Sequence, residues 1–141
     1  MRVEIAKSET QLEDVFQVRK TVFVKEQNVP MEEEIDEFEN KSTHFLLYDG
    51  DFPAGAGRFR ILDGIGKVER ICVLKTVRGK GAGREIMQAI EQYAAEKNIP
   101  KLKLHAQTYA IPFYEGLGYQ IVSEEFMDAG IPHKTMIKTM S

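Results

Sequence analysis

The chain has 141 residues, 43% apolar and 29% charged, a length and balance that suit one soluble globular domain with its own core. Its formal net charge of −3 supplies no global basic field to recruit nucleic acid or an anionic membrane, so any anion-binding site must be local. The single cysteine, Cys72, excludes an internal disulfide, and no run approaches the roughly 18 apolar residues of a membrane span.

The N-terminal residues Met1 to Ile5 carry charge and lack the apolar core of a signal peptide, so the expected compartment is the cytoplasm. Arg2 to Lys7 alternate polar and apolar and predict a strand. Ser8-Glu9-Thr10-Gln11 is a capping box, and Leu12, Val15, Phe16, Val22 and Phe23 follow at helical spacing, predicting a helix to about Lys25. From Met31 to Asn40 the chain is acidic, with Glu32, Glu33, Glu34, Asp36, Glu37 and Glu39. Such a run reads as a solvated loop or short helix, the alternative being a wall that attracts a cationic acceptor.

Three strands are expected next: His44 to Tyr48, Phe52 to Leu62 and Ile65 to Leu74, joined at Asp49-Gly50 and Asp63-Gly64 as an antiparallel meander. Gly55 and Gly57 suggest that the second is twisted or bulged. The period turns helical from Gly81 to Lys97, with Ile86, Ala89, Ile90, Tyr93 and Ala94 on one face, and Asn98 and Pro100 stop it. Lys101 to Ala106 alternates as a strand, a short helix covers Ile111 to Gly116, and a last strand covers about Lys134 to Thr139. The sum is a mixed sheet with helices packed on it, an α/β or α+β domain of three layers.

The most informative stretch is Val73-Leu74-Lys75-Thr76-Val77-Arg78-Gly79-Lys80-Gly81-Ala82-Gly83-Arg84, where a strand ends in a basic, glycine-rich turn and a helix begins. Glycines permit the positive φ that aims successive N–H groups into one concavity, and a helix N-terminus adds partial positive charge. That suits a phosphate or pyrophosphate, with a ligand-free helix start as the plain alternative. A P-loop would need four residues between glycines and then Gly-Lys-Ser/Thr, which is absent. A dinucleotide fingerprint would need glycine where Arg84 stands.

At these residues the sequence resembles the GNAT superfamily of acyl-CoA N-acetyltransferases, whose signature Arg/Gln-x-x-Gly-x-Gly/Ala is met by Arg78-Gly79-Lys80-Gly81-Ala82-Gly83. A second block, His105-Ala106-Gln107 followed by Phe113-Tyr114-Glu115-Gly116-Leu117-Gly118-Tyr119, is similar to the family's late region. Many members carry proline where this chain has Lys75. Arg19, Val22-Phe23-Val24, Glu26-Gln27, Asp36 and the stretch Asp128 to His133 resemble the ElaA-like branch. The order of elements agrees over essentially the whole chain, implying a single domain, 1–141, with a GNAT-like, mostly antiparallel central sheet and helices on both faces.

The resemblance implies acetyl-CoA as co-substrate, an amine as acceptor, and dimerisation as a possibility. Backbone groups of Ile71, Cys72 and Val73 would hydrogen-bond the pantetheine arm as an added strand. Arg78, Gly79, Lys80, Gly81, Ala82, Gly83 and Arg84 would hold the pyrophosphate, with Gln107 against the cofactor after the next strand. Tyr114 matches the acid that protonates the departing thiolate, and a phenol of pKa about 10 is neutral at pH 7. Glu69 matches an acidic position and is the candidate base, acting through water, while Glu26 is a rival base or substrate-binding carboxylate beside Gln27. The oxyanion donor would be a backbone N–H near Val73.

His133 could line the acceptor site, Cys72 reads as a buried inert thiol, and His44, His105 and His133 have no metal-like spacing. Two other functions remain open: an acyl-CoA sensor without useful catalysis, and a protein that binds another nucleotide.

Overall fold

The computed structural model describes residues 1–140. Strand β1 (Arg2–Ile5) leads into helix α1 (Glu9–Arg19), whose capping box forms as the sequence implies. The Gln11 N–H donates to Ser8 Oγ at 3.1 Å, and Gln11 Oε1 accepts from the Ser8 N–H at 3.3 Å, satisfying two amides at the helix start. The helical course runs on to Glu26, close to the expected end, but residues Lys20–Glu26 are wound as a π-helix. The Gln27 N–H reaches back five residues to the Val22 carbonyl at 3.1 Å.

The acidic stretch forms α2 (Met31–Glu34) and a loop, and it departs from the solvated surface that its charge suggested. Glu34 is buried, and Asp36 and Glu39 are half-buried, each drawn in by an arginine from another element. Arg19 donates to Glu34 Oε1 at 2.7 Å and to both oxygens of Glu39 at 2.8 Å. Arg58 makes a bidentate pair with Asp36 at 2.8 and 2.9 Å. Arg19 and Arg58 are each 1% exposed, so these carboxylates compensate charges that water does not reach.

The meander follows as β2 (Thr43–Asp49), β3 (Phe52–Leu62) and β4 (Ile65–Val73). Then come helix α3 (Ala82–Glu96), strand β5 (Lys101–Gln107), helix α4 (Ile111–Gly116), and strands β6 (Gln120–Ile121), β7 (Phe126–Asp128) and β8 (Ile131–Thr139). The last strand starts earlier than its alternation implied, because Ala129 and Gly130 take positive φ and fold β7 back on β8 as a hairpin. Among the described residues the sheet has eight strands in the order β1-β2-β3-β4-β5-β8-β6, with β7 also on β8. All neighbours are antiparallel except β4 and β5.

Strand alternation sends one set of side chains to each face. Phe45, Leu47, Phe59, Val68, Leu102 and Leu104 pack under Ile86, Met87 and Ile90 of α3, with Tyr114 of α4 in the same cluster. Leu46, Ala56 and Cys72 point the other way, against Val15 and Val18 of α1 and Val22 of the π-segment. Fully burying one such side chain contributes roughly 1.5–3 kcal/mol, so each face has enough apolar surface to hold its helix. The result is the three-layer mixed α/β architecture expected, with helices on both faces.

Candidate active site

The site begins where two parallel strands part. In β4, Gly66, Lys67 and Val68 pair with Leu102, Lys103 and Leu104 of β5, and the pairing ends there. Just beyond, β4 carries a bulge opposite β3: Arg58 pairs with Glu69 and Ala56 with Cys72, and Arg70 between them has φ +57°. Gly57 sits across from the bulge, where a Cβ would come within 2.8 Å of Ile71 Cδ1. The Arg70 side chain secures the turn by donating to the Glu34 carbonyl and to Asp36 Oδ2, both at 3.2 Å. Residues 69–73 of β4 thereby border a cavity of about 850 Å³ on the side where β5 would otherwise lie.

At the far end of that cavity lies the glycine-rich turn. Gly79 and Gly81 adopt φ +79° and +85°, the left-handed region that favours glycine, and an added Cβ at either would meet only open space. The first helical bond of α3 runs from the Glu85 N–H to the Gly81 carbonyl at 3.0 Å, leaving the amides of Ala82, Gly83 and Arg84 without intrahelical partners. No side chain among the described residues caps them. Gly79, Gly81, Ala82, Gly83 and Arg84 all line the cavity. Lys80 does not: its N–H is spent on the Val77 carbonyl at 3.2 Å, and its side chain is exposed to solvent.

Arg78 is already engaged across the cavity mouth. It donates from Nε to the Val73 carbonyl at 3.0 Å and from Nη2 to Glu26 at 2.6 Å. Glu26, read from sequence as a rival base, is therefore the counter-ion of Arg78 in the glycine-rich turn. The π-segment also brings Gln27 to Gln107, whose Nε2 donates to Gln27 Oε1 at 2.8 Å and bridges the two walls.

Tyr114, on α4, lines the cavity and is 8% exposed. Burial pushes its phenol well above the ordinary range, so it holds its proton at any physiological pH. Phe113 and Tyr119 fix the ring edge-on, at 5.0 and 5.9 Å between centroids. Cys72 is buried and pushed up to about 12, a protonated thiol with no nucleophilic character.

Glu69 also borders the cavity, but it is heavily engaged. Its Oε1 accepts from Arg58 at 3.0 Å and from Arg60 at 2.8 Å, and Lys67 Nζ lies 3.9 Å from Oε2. Burial favours the neutral acid, yet the Arg60 hydrogen bond and the Arg58 charge outweigh it and lower the pKa. A carboxylate held ionised in this way is a poor proton acceptor, which weighs against the base role its position suggested. Of its cationic partners only Lys67 is a neighbour in sequence: Arg70 bonds Asp36 instead, while Arg58 and Arg60 come from the adjacent strand.

His133 stands in β8, just before the strand start expected at Lys134, directly opposite Gln107, and its Nδ1 is 2.7 Å from the Ile131 carbonyl. His105 lines the same cavity with its ring edge-on to Phe126, 5.1 Å away, and Phe126 stacks on His133 at 5.9 Å. His105 is exposed at the cleft, and partial desolvation with the charges of Lys67 and Lys103 lowers its pKa, which favours the neutral imidazole. Lys67 and the exposed Tyr109 are further lining residues to which the sequence assigned no role. Alternation along β4 does put Lys67 on the same face as Glu69, a signal that could have found it.

The site therefore has an open strand edge, an uncapped helix start, a protonated phenol and a neutral imidazole around one cleft. Residues 6–140 match the model of the acetyltransferase (GNAT) domain family, and the chain belongs to that family. It is 58% identical over 139 residues to the uncharacterized N-acetyltransferase YjcF of Bacillus subtilis, covering 98% of this chain and 99% of YjcF. The solved structure of Escherichia coli ElaA superposes with a TM-score of 0.85 at 25% identity, over 97% of this chain and 98% of ElaA. A solved structure from Lactobacillus plantarum superposes with a TM-score of 0.91 at 26% identity, over 98% of this chain and 97% of that one.

Proposed function

We propose that the protein, acting as a single domain, is an N-acetyltransferase that moves the acetyl group of acetyl-CoA to a primary amine by direct transfer in a ternary complex. One observation carries the reading: the unpaired edge of β4 and the uncapped start of α3 open into the same cavity, as an extended ligand with an anionic end requires. The edge offers strand-like hydrogen bonds from Ile71, Cys72 and Val73, and the turn offers N–H groups from Gly81 to Arg84 for a pyrophosphate. Arg78 would have to leave the Val73 carbonyl for that carbonyl to bond a pantetheine arm, and its guanidinium is then free for phosphate. The bound thioester supplies the electrophilic carbonyl.

The remaining chemistry belongs to the chain. A backbone N–H near Val73 faces the charge that grows on the carbonyl oxygen. Tyr114 donates its proton to the departing thiolate. The acceptor ammonium must lose a proton first, since alkyl amines have pKa near 10. His105 takes that role better than Glu69, because it is neutral and faces the cavity, whereas Glu69 is committed to Arg58 and Arg60. Purified protein with acetyl-CoA and a panel of primary amines should release free thiol continuously. Saturable cofactor binding with no release on any amine would replace the enzyme reading with that of an acyl-CoA sensor.

A further inference from the structure

Resting on that reading, we propose that the acceptor is an amine that also carries an anionic group, a carboxylate or a phosphate, and that Lys67 binds the anion. The acidic run 32–39 does not supply the cation-attracting wall it suggested. Glu34, Asp36 and Glu39 are spent on Arg19, Arg58 and Arg70, and Glu32 and Glu37 lie exposed on the surface. Around Glu69, by contrast, one carboxylate meets several cations. Glu69 is one carboxylate serving both Arg60 at 2.8 Å and Lys67 at 3.9 Å, while Arg58 has Asp36 and Glu39 as well. Lys103, opposite Lys67 on β5, adds another cation close enough for its charge to act on Lys67. This corner holds more positive charge than its carboxylate can balance.

Position fits the role. Lys67 lines the cavity with its side chain 15% exposed, so water screens its charge less than that of a surface lysine. Glu33 and Asp128 also line the cavity, but both are exposed to solvent. Lys67 precedes the point where β4 leaves β5, and Ile71 follows it across the bulge, so the two are about 10 Å apart along the strand, the span of three residues of the partner β3. An acceptor of a few bonds' length can place its anion at Lys67 and its amine toward the thioester, at the end of the cleft away from the pyrophosphate turn.

The test uses β-alanine, 2-aminoethyl phosphate, ethanolamine and 1,3-diaminopropane as matched acceptors in the thiol-release assay with acetyl-CoA. One or both anionic amines should exceed ethanolamine and the diamine at least tenfold in kcat/KM, and which one leads decides between carboxylate and phosphate. Lys67→Gln should raise KM for the anionic acceptor at least tenfold, and Lys67→Arg should restore it. Equal or greater turnover of ethanolamine or the diamine, or an acceptor ratio untouched by Lys67→Gln, overturns the proposal while leaving the acetyltransferase reading intact. Calorimetric titration of the CoA-loaded protein with each anionic amine gives a readout without turnover. If neither binds saturably, the proposal fails; if acetyl-CoA itself does not bind, the reading beneath it fails first.

Discussion

Tyr114 is the residue whose role is most sharply testable. Its burial keeps the phenol protonated, so the role proposed for it is giving a proton rather than binding charge. Tyr114→Phe keeps the ring packing against Phe113 and Tyr119, and should lower kcat by about 100-fold with little change in acetyl-CoA affinity. Unchanged turnover at saturating cofactor would remove the acid assignment. His105 and Glu69 separate in the pH profile. If His105 is the base, wild-type kcat/KM falls on the acid side below the ordinary imidazole value of about 6.5, because the lowered pKa delays protonation. His105→Gln should abolish that limb and cost about 100-fold at neutral pH, whereas Glu69→Gln should keep the limb. The opposite pattern would return the role to Glu69. Tyr114 could be found in the sequence because its motif is local. The engagement of Glu69 could not, since Arg58 and Arg60 reach it across a strand pair whose register no single segment encodes.

At the scale of elements, the turn before α3 is written in its glycines. Gly81→Ala would meet no steric obstacle, since nothing lies near the new Cβ, but the left-handed conformation should cost about 1–2 kcal/mol in urea unfolding. It should also weaken acetyl-CoA binding; a variant with unaltered stability and affinity would mean that the backbone there does not need its positive φ. The capping box, the meander and the amphipathic face of α3 were legible for the same reason: each is a short-range pattern. The π-winding after Arg19 was not, because its apolar spacing over seven residues satisfies an ordinary helix equally well. Nor was the fate of the acidic run, which depends on arginines from α1, β3 and β4. Arg58→Met tests that network. It leaves Asp36 without its bidentate partner and removes one cation each from Glu39 and Glu69, and should destabilise the fold by about 3–5 kcal/mol. A loss under 1 kcal/mol would show that the carboxylates find water instead.

For the molecule as a whole, the same network predicts an acid limit to stability. Burial favours protonated Asp36, but hydrogen bonds from Arg58 and the Phe38 amide outweigh it and hold the pKa down at about 2. A carboxyl depressed in the folded state stabilises it above the unfolded value near 3.9, and that contribution disappears as pH falls from about 4 to about 2. Asp36 alone should account for about 2 kcal/mol across that window, read as the difference between wild type and Asp36→Asn in denaturant unfolding at pH 5.5 and 2.5. Identical acid dependence in the two proteins would contradict the pairing. The three-layer fold answers a functional need as well: α1 and α3 grip opposite faces of the sheet while its middle strands part, and the gap between β4 and β5 is the cleft.

That cleft as an acyl-CoA site is the central claim, and calorimetric titration with acetyl-CoA, using adenosine diphosphate and NAD as controls, tests it most directly. Saturable binding near one per chain, with much weaker binding of both controls and a clear loss of affinity in Gly81→Ala, is the expected result. No binding, or equal binding of all three, would contradict it.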